Sequence, residues 1–181
     1  MFARMSSGGG CVAEAESPTI VVCDAGPPIH LDELGCIDLL SDFQEVLVPE
    51  AVWNKVARHR PSALRRRRIR LKRIPLRARA AADLSRLADN FALAVGELES
   101  LILMAELPHA VLLTDDAAAR LVAQQLGYSV HGTIGIIVGA IALNQRTKRQ
   151  VLNLLRSIPR RSTLYIARSL LRAVIEQVQQ S

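Results

Sequence analysis

Apolar residues in this chain gather into short runs that end on an acid or a turn, and stretches with a helical period separate them. Thr19 to Cys23 is a β-branched run closed by Asp24. Ala25-Gly26-Pro27-Pro28 breaks it, and Ile29 to Phe43 then reads as helical with an interruption at Gly35. Glu45 to Val48 predicts a second strand, and Pro49 suits the first position of the helix Glu50 to Val56. Beyond a basic stretch, Ala78 to Leu87 has a helical pattern again. Gly96 precedes the helix Glu97 to Ala105, which carries acids in its first turn and ends at Pro108.

The run Ala110 to Thr114, closed by Asp115 and Asp116, reads as a strand buried on both faces. The helix after it stops at Gly127, and Tyr128 to Val130 forms a further short strand. His131-Gly132-Thr133-Ile134-Gly135 leads into an apolar helix, and Thr147 to Gln180 reads as two amphipathic helices split at Pro159.

Strands alternating with helices at this spacing imply βαβ units and a mainly parallel sheet. In such sheets ligands bind beyond the carboxyl ends of the strands, where Asp24, Asp115 and Asp116 fall. Asp116 either caps the helix that follows it or joins a site there. Glu97, from a third segment, can reach the same edge. Carboxylates about 4 Å apart repel by roughly 4 kcal/mol per pair at an effective dielectric near 20, so such a cluster needs protons or divalent cations. Hard oxygen ligands suit Mg²⁺ or Mn²⁺, and a pair of such ions can activate water against a phosphodiester. No G-x-G-x-x-G follows a strand and no P-loop occurs, which excludes the common nucleotide-cofactor sites. His30, His59, His109 and His131 lack zinc spacing and read as ordinary histidines.

Composition adds a partner. The net charge is +6, yet 11 of the 23 basic residues lie between Arg58 and Arg79, and no acid occurs from there until Asp83. Without that block the chain carries −5, so a basic stripe sits on an acidic body and points to a polyanion. Arg65, Arg66, Arg67, Arg68, Arg70, Lys72 and Arg73 are the candidate nucleic-acid contacts. Pro61 and Pro75 bound a part of the block that could be helical or disordered. It contains no aromatic residue for base stacking.

Half the residues are hydrophobic and only 3% aromatic, so the core rests on Leu, Ile, Val and Ala. Three cysteines without metal-ligand spacing suggest buried thiols in a reducing compartment. Met1 to Ser17 has no apolar h-region and reads as a disordered tail, or as an overlong start ahead of Met5. No run approaches the roughly 20 apolar residues of a membrane span, and a soluble cytoplasmic protein is expected.

Cys23-Asp24-Ala25-Gly26-Pro27-Pro28-Ile29 resembles the opening strand and turn of PIN domains. Leu34 to Leu40 together with Val48-Pro49-Glu50-Ala51-Val52 looks like their second segment. Gly96-Glu97-Leu98-Glu99, Leu113-Thr114-Asp115-Asp116 with Arg120, and Gly132-Thr133-Ile134-Gly135 are similar to the later blocks. The likeness is strongest to the toxin-like bacterial and archaeal branch.

The resemblance implies a three-layer α/β fold, with a mostly parallel five-stranded sheet flanked by helices. A disordered tail (1–18) would precede the PIN-like domain (19–145, with 58–79 as an Arg-rich insertion), and a helical extension (146–181) would follow. It also implies Mg²⁺- or Mn²⁺-dependent RNA cleavage and often a neighbouring antitoxin; a homodimer and no membrane are expected besides. Asp24, Glu97 and Asp116 would be the catalytic, metal-binding acids, with Asp115 auxiliary. One position departs from the family pattern. Lys55-Val56 stands where an acid followed by Val is usual, and Glu50 is more than one turn away. Such a Lys can pair with Asp24 or Asp116 and weaken or abolish catalysis.

Overall fold

A computed structural model describes residues 20–65, 69–75, 93–107 and 109–180. Its centre is a five-stranded sheet in the order β3-β2-β1-β4-β5, with every neighbouring pair parallel. The strands are β1 (Ile20–Cys23), β2 (Glu45–Pro49), β3 (Leu71–Ile74), β4 (Val111–Leu113) and β5 (Ser129–His131). The helices are α1 (Gly26–Leu34), α2 (Glu50–His59), α3 (Val95–Glu106), α4 (Ala117–Gln125), α5 (Thr133–Ala142), α6 (Lys148–Arg161) and α7 (Arg168–Gln180). Two 3₁₀ stretches, Ile37–Asp42 and Pro61–Arg65, complete the path.

Strand alternation sorts the core into two layers. Val21 and Cys23 of β1, Val46 and Val48 of β2 and Leu113 of β4 face one way. They pack with Leu31 of α1, Ile137 of α5, Val151, Leu155 and Ile158 of α6, and Leu171 and Val178 of α7. Val22, Leu47 and Leu112 face the other way, onto Leu101 and Met104 of α3 and Val122 and Ala123 of α4. β1 and β4 thus read as unbroken apolar runs because helices cover both sides. The last two helices belong to the main core, and Leu155 and Ile158 are fully buried. Each such side chain contributes about 1.5–3 kcal/mol through burial.

The structure corrects several boundaries. The Arg-rich block, expected to be helical or disordered, contributes β3, which pairs with Val46 to Pro49 of β2. Only its end residues are apolar, and its central Lys72 and Arg73 are exposed. That pattern suits an edge strand, where charge discourages further pairing. The helix expected from Ile29 starts earlier, with Pro27 and Pro28 in a first turn whose N–H groups need no helical partner. It ends at Gly35, whose φ of 73° lies in the left-handed region, and the chain continues as 3₁₀. Pro49 is the last residue of β2 rather than the first of α2. Pro159 lies inside α6, near its end, and the break between the last helices comes after Arg161. The helix expected over Ala78 to Leu87 and the N-terminal tail lie outside the described residues. Among the described residues no helix is long and apolar enough to cross a membrane.

Candidate metal centre

β1 and β4 are neighbours with Cys23 opposite Leu113, so the next residues, Asp24 and Thr114, leave the carboxyl edge side by side. The Asp24 amide donates to the Leu113 carbonyl at 2.9 Å and the Thr114 amide to the His131 carbonyl at 2.9 Å, extending the ladder by one residue. The Thr114 hydroxyl donates to Oδ2 of Asp24 at 3.1 Å and accepts from the Asp116 amide at 3.1 Å. Asp24 is only 4% exposed, and its Oδ1 is buried with no hydrogen-bond partner among the described residues. Burial pushes its pKa up to about 6. The Ala25 amide, the Thr114 hydroxyl and the Lys55 charge oppose the rise, and the Glu97 charge adds to it.

Glu97 arrives from the first turn of α3. Its Oε2 accepts from the Ala94 amide and so closes the start of its own helix. Gly96 permits the approach, since a Cβ there would meet Val52 Cγ2 at 3.2 Å and lie 3.9 Å from the bare Oδ1 of Asp24. α2 is fixed to α3 by Glu99, whose Oε2 accepts from the Ala51 amide at 2.7 Å. This places Lys55 of α2 with Nζ 3.9 Å from Oε1 of Glu97. The expected partners of Lys55 were Asp24 or Asp116, but the acid it pairs with is Glu97. With Lys55 49% exposed, a pair this long contributes at most about 1 kcal/mol, so a competing cation can displace it.

The two adjacent acids have different surroundings. Asp115 Oδ1 accepts from the Thr133 amide at 2.7 Å. Its Oδ2 accepts from the Thr133 hydroxyl at 2.6 Å and faces His30 Nδ1 at 2.8 Å. Burial alone would push this carboxyl up, but the His30 and Thr133 hydrogen bonds outweigh it and hold the pKa below its ordinary value. Gly132 must be glycine for this arrangement, because a Cβ there would meet Asp115 Oδ1 at 2.8 Å and Arg120 Nη2 at 2.7 Å. Asp116 caps α4, accepting from the Ala119 amide at 2.7 Å through Oδ1. Its other oxygen makes no hydrogen bond among the described residues.

The structure therefore brings Asp24 and Glu97 together and links the Asp116 backbone to Asp24 through Thr114, while both oxygens of Asp115 are engaged by α1 and α5. Among the described residues no group of three or more His, Cys, Asp or Glu side chains is placed to hold a metal ion. Carboxylates fit Mg²⁺ or Mn²⁺ in donor type. Mg²⁺ is commonly held by one or two carboxylates plus water and substrate phosphate, so Asp24 and Glu97 suffice as anchors. Sequence reasoning passed over Thr114, Thr133 and His30. The hydroxyls were hidden inside motifs read for their acids, and His30 looked like one of four unconnected histidines.

The basic candidates are partly engaged. Lys72 Nζ lies 3.8 Å from Glu45, and Arg73 pairs with Glu50 and reaches Asn54 at 3.5 Å. Arg65 and Arg70 are exposed, while Arg66, Arg67 and Arg68 lie outside the described residues. Glu50, already excluded as a stand-in for the missing acid, is the partner of Arg73 instead.

A PIN-domain family model matches residues 20–180, which takes in all five strands and the last two helices. Neither the comparison with curated proteins nor that with solved structures gives a match. With its parallel sheet and its acids at the carboxyl edge, the chain belongs to the PIN-domain family, a nuclease fold that generally works with divalent metal ions.

Proposed function

We propose that the chain is a Mg²⁺-dependent endoribonuclease and the toxin component of a toxin–antitoxin pair. One observation carries the reading: Asp24 keeps a buried oxygen without a hydrogen-bond partner among the described residues beside Glu97, at the edge where a parallel sheet binds its ligands. An unsatisfied buried carboxylate oxygen is costly, and a cation supplied from outside relieves that cost. On this reading Asp24 and Glu97 would hold the ion, and Asp116, which caps α4 through Oδ1, is the third candidate acid. Thr114 fixes the relative position of Asp24 and Asp116, and Asp115 ties the edge together from outside the ligand set. When bound, such an ion would supply the activation of a water and the charge that steadies the leaving oxygen of a phosphodiester. The Arg-rich block supplies phosphate contacts, and an acidic antitoxin segment fits the same surface. A homodimer is the proposed assembly.

The test is cleavage of a fluorogenic single-stranded RNA with Mg²⁺ or Mn²⁺, against Asp24→Asn and Glu97→Gln. Cleavage that needs the metal and disappears in both variants supports the reading. Cleavage that persists in both places the chemistry elsewhere.

Lys55 favours a second reading, a PIN module that binds RNA or a partner protein without cutting, because its ammonium lies where it competes with an ion for Glu97. Lys55→Glu distinguishes the two. On the nuclease reading it adds a ligand, tightens Mg²⁺ binding and raises activity modestly, since the surroundings are not tuned for it. Calorimetric titration of both proteins with Mg²⁺ measures the effect, and equal affinities would remove Lys55 as a brake.

RNA binding to the Arg-rich block should weaken steeply with salt. For about six neutralised phosphates the log–log slope is roughly −4. Unchanged affinity after replacing Arg65 to Arg68 with Gln would give the block to a partner protein.

A further inference from the structure

A second basic surface lies away from the acids. Of the twelve basic residues outside Arg58 to Arg79, eight fall between Arg146 and Arg172, and Glu176 is the sole acid from Arg146 to the end. Arg146 pairs with Asp38, and Lys148 donates to the Gln179 carbonyl at 2.8 Å. Arg156, Arg160, Arg161, Arg168 and Arg172 are exposed, and their side chains make no hydrogen bond or ion pair among the described residues. They differ in this from Lys72 and Arg73, which already have acidic partners on the protein.

The link between α6 and α7 adds an aromatic. Leu164 and Ile166 turn inward onto the core, and Tyr165 between them is 94% exposed. The backbone beneath it is fixed. Glu33 at the end of α1 accepts from the Ser162 hydroxyl at 2.8 Å, the Thr163 amide at 2.7 Å and the Thr163 hydroxyl at 3.0 Å. Tyr165 is thus held outward on an ordered support. Arg160 and Arg161 precede it, and Arg168 follows. Between α6 and the Gly35 turn lies a cavity of about 230 Å³ lined by Arg146, Gln150, Asn153, Ser157 and Arg161. Within it Arg146 is taken up by Asp38 and the Gln145 carbonyl, and the Ser157 hydroxyl by the Leu154 carbonyl, so Arg161 is the cavity's cation without an acidic partner among the described residues, and a guanidinium is suited to a phosphate.

We propose that this surface binds single-stranded RNA, with phosphates on Arg160, Arg161 and Arg168 and a base stacked on Tyr165. An exposed ring with arginines within five residues of it along the chain is a platform that any base can use, which the aromatic-free Arg-rich block does not provide. The surface lies beyond the far end of α1 from Asp24, so it anchors a strand rather than aligning the bond to be cut. The assignment rests on the ribonuclease reading only for the identity of the polyanion. It is therefore tested by binding alone.

The experiment uses the full chain carrying Asp24→Asn and a labelled oligouridylate, with affinity measured by anisotropy across a salt series. Tyr165→Ala should weaken binding between about fivefold and a hundredfold, and Tyr165→Phe should restore it. Arg160→Gln with Arg161→Gln should make the log–log salt slope shallower by about 1.4. Unchanged affinity in Tyr165→Ala overturns the proposal. Equally tight binding of polyglutamate, lost in the same variants, also overturns it and assigns the surface to an acidic protein. Because no cleavage is read, failure here leaves the nuclease reading standing, and failure of cleavage leaves this test intact.

Discussion

Asp24→Asn should make the metal-free protein more stable at neutral pH while removing its response to Mg²⁺. The Asp24 carboxyl is buried and its pKa is raised from 3.8 to about 6. Between those values the folded protein holds a proton that the unfolded chain has released. Stability from this group is therefore fully present below about pH 4 and is lost as pH rises through about 6. Above pH 6 the ionised form costs about 3 kcal/mol at most, at 1.36 kcal/mol per pKa unit.

Asparagine removes that cost with almost no change in volume, and its amide oxygen can still accept from Thr114. Thermal unfolding without metal should rise by up to about 10 °C at pH 7.5, using roughly 2–4 °C per kcal/mol for a chain of this size. The gain should shrink toward zero near pH 4. Mg²⁺ should stabilise the parent protein by about 2.7 kcal/mol at a hundredfold excess over its Kd, and leave Asp24→Asn unmoved. A variant that melts at or below the parent at pH 7.5 would mean that Asp24 bears no unsatisfied charge.

The second large effect belongs to Asp115. Its two oxygens receive the Thr133 amide, the Thr133 hydroxyl and His30, which join the carboxyl edge of β4 to α1 and α5. Asp115→Ala leaves those groups without their charged partner and should cost on the order of 3–5 kcal/mol. In melting experiments that corresponds to a fall of about 10 °C or more. Asp115→Asn should cost less, since it keeps the shape and one acceptor. Mg²⁺ affinity measured below the melting range should change little in either variant. An Asp115→Ala protein that melts normally yet fails to bind Mg²⁺ would reverse the assignment and make Asp115 a ligand.

The pH dependence runs opposite to that of Asp24. A carboxyl held below its ordinary value contributes stability above about pH 4 and loses it as pH falls through its folded pKa. Acid titration of the two variants therefore separates the group that strains the edge from the one that secures it.

Much of this was readable from residue order. The runs ending at Asp24 and at Asp115–Asp116 marked the two central strands, because strands covered on both faces are apolar throughout. Alternation with helices gave the parallel sheet and the edge where acids matter. β3 was hidden because an edge strand of Leu71-Lys72-Arg73-Ile74 lacks both an apolar run and a clean alternation, and its ladder to β2 is a tertiary fact. Pro159 misled because a proline near a helix end removes one hydrogen bond without stopping the helix.

At the site, sequence could name acids but not apportion them. Whether Asp115 or Asp116 is engaged depends on Thr133 and His30, which lie 18 and 85 residues from Asp115. The position of Lys55 shows the same limit. The departure from the family pattern was visible, but its choice of Glu97 follows from the way Glu99 ties α3 to the start of α2.

The order of the strands also sets when the site comes into being. β1 lies at the middle of the sheet and needs β4 on one side, and the hydrogen bond that aligns Asp24 joins it to Thr114, 90 residues later. During synthesis β1, β2 and β3 can pair early, leaving the β4 side of β1 open until the second half of the chain emerges. The core that seals it also needs Leu155, Ile158 and Leu171. Such non-local closure is slow compared with helix docking, and it comes late on a ribosome that delivers the N-terminus first. A nascent chain thus carries Asp24 for most of its synthesis without an assembled centre around it, and the interval gives any partner that binds the young chain the opportunity to arrive before the centre is complete.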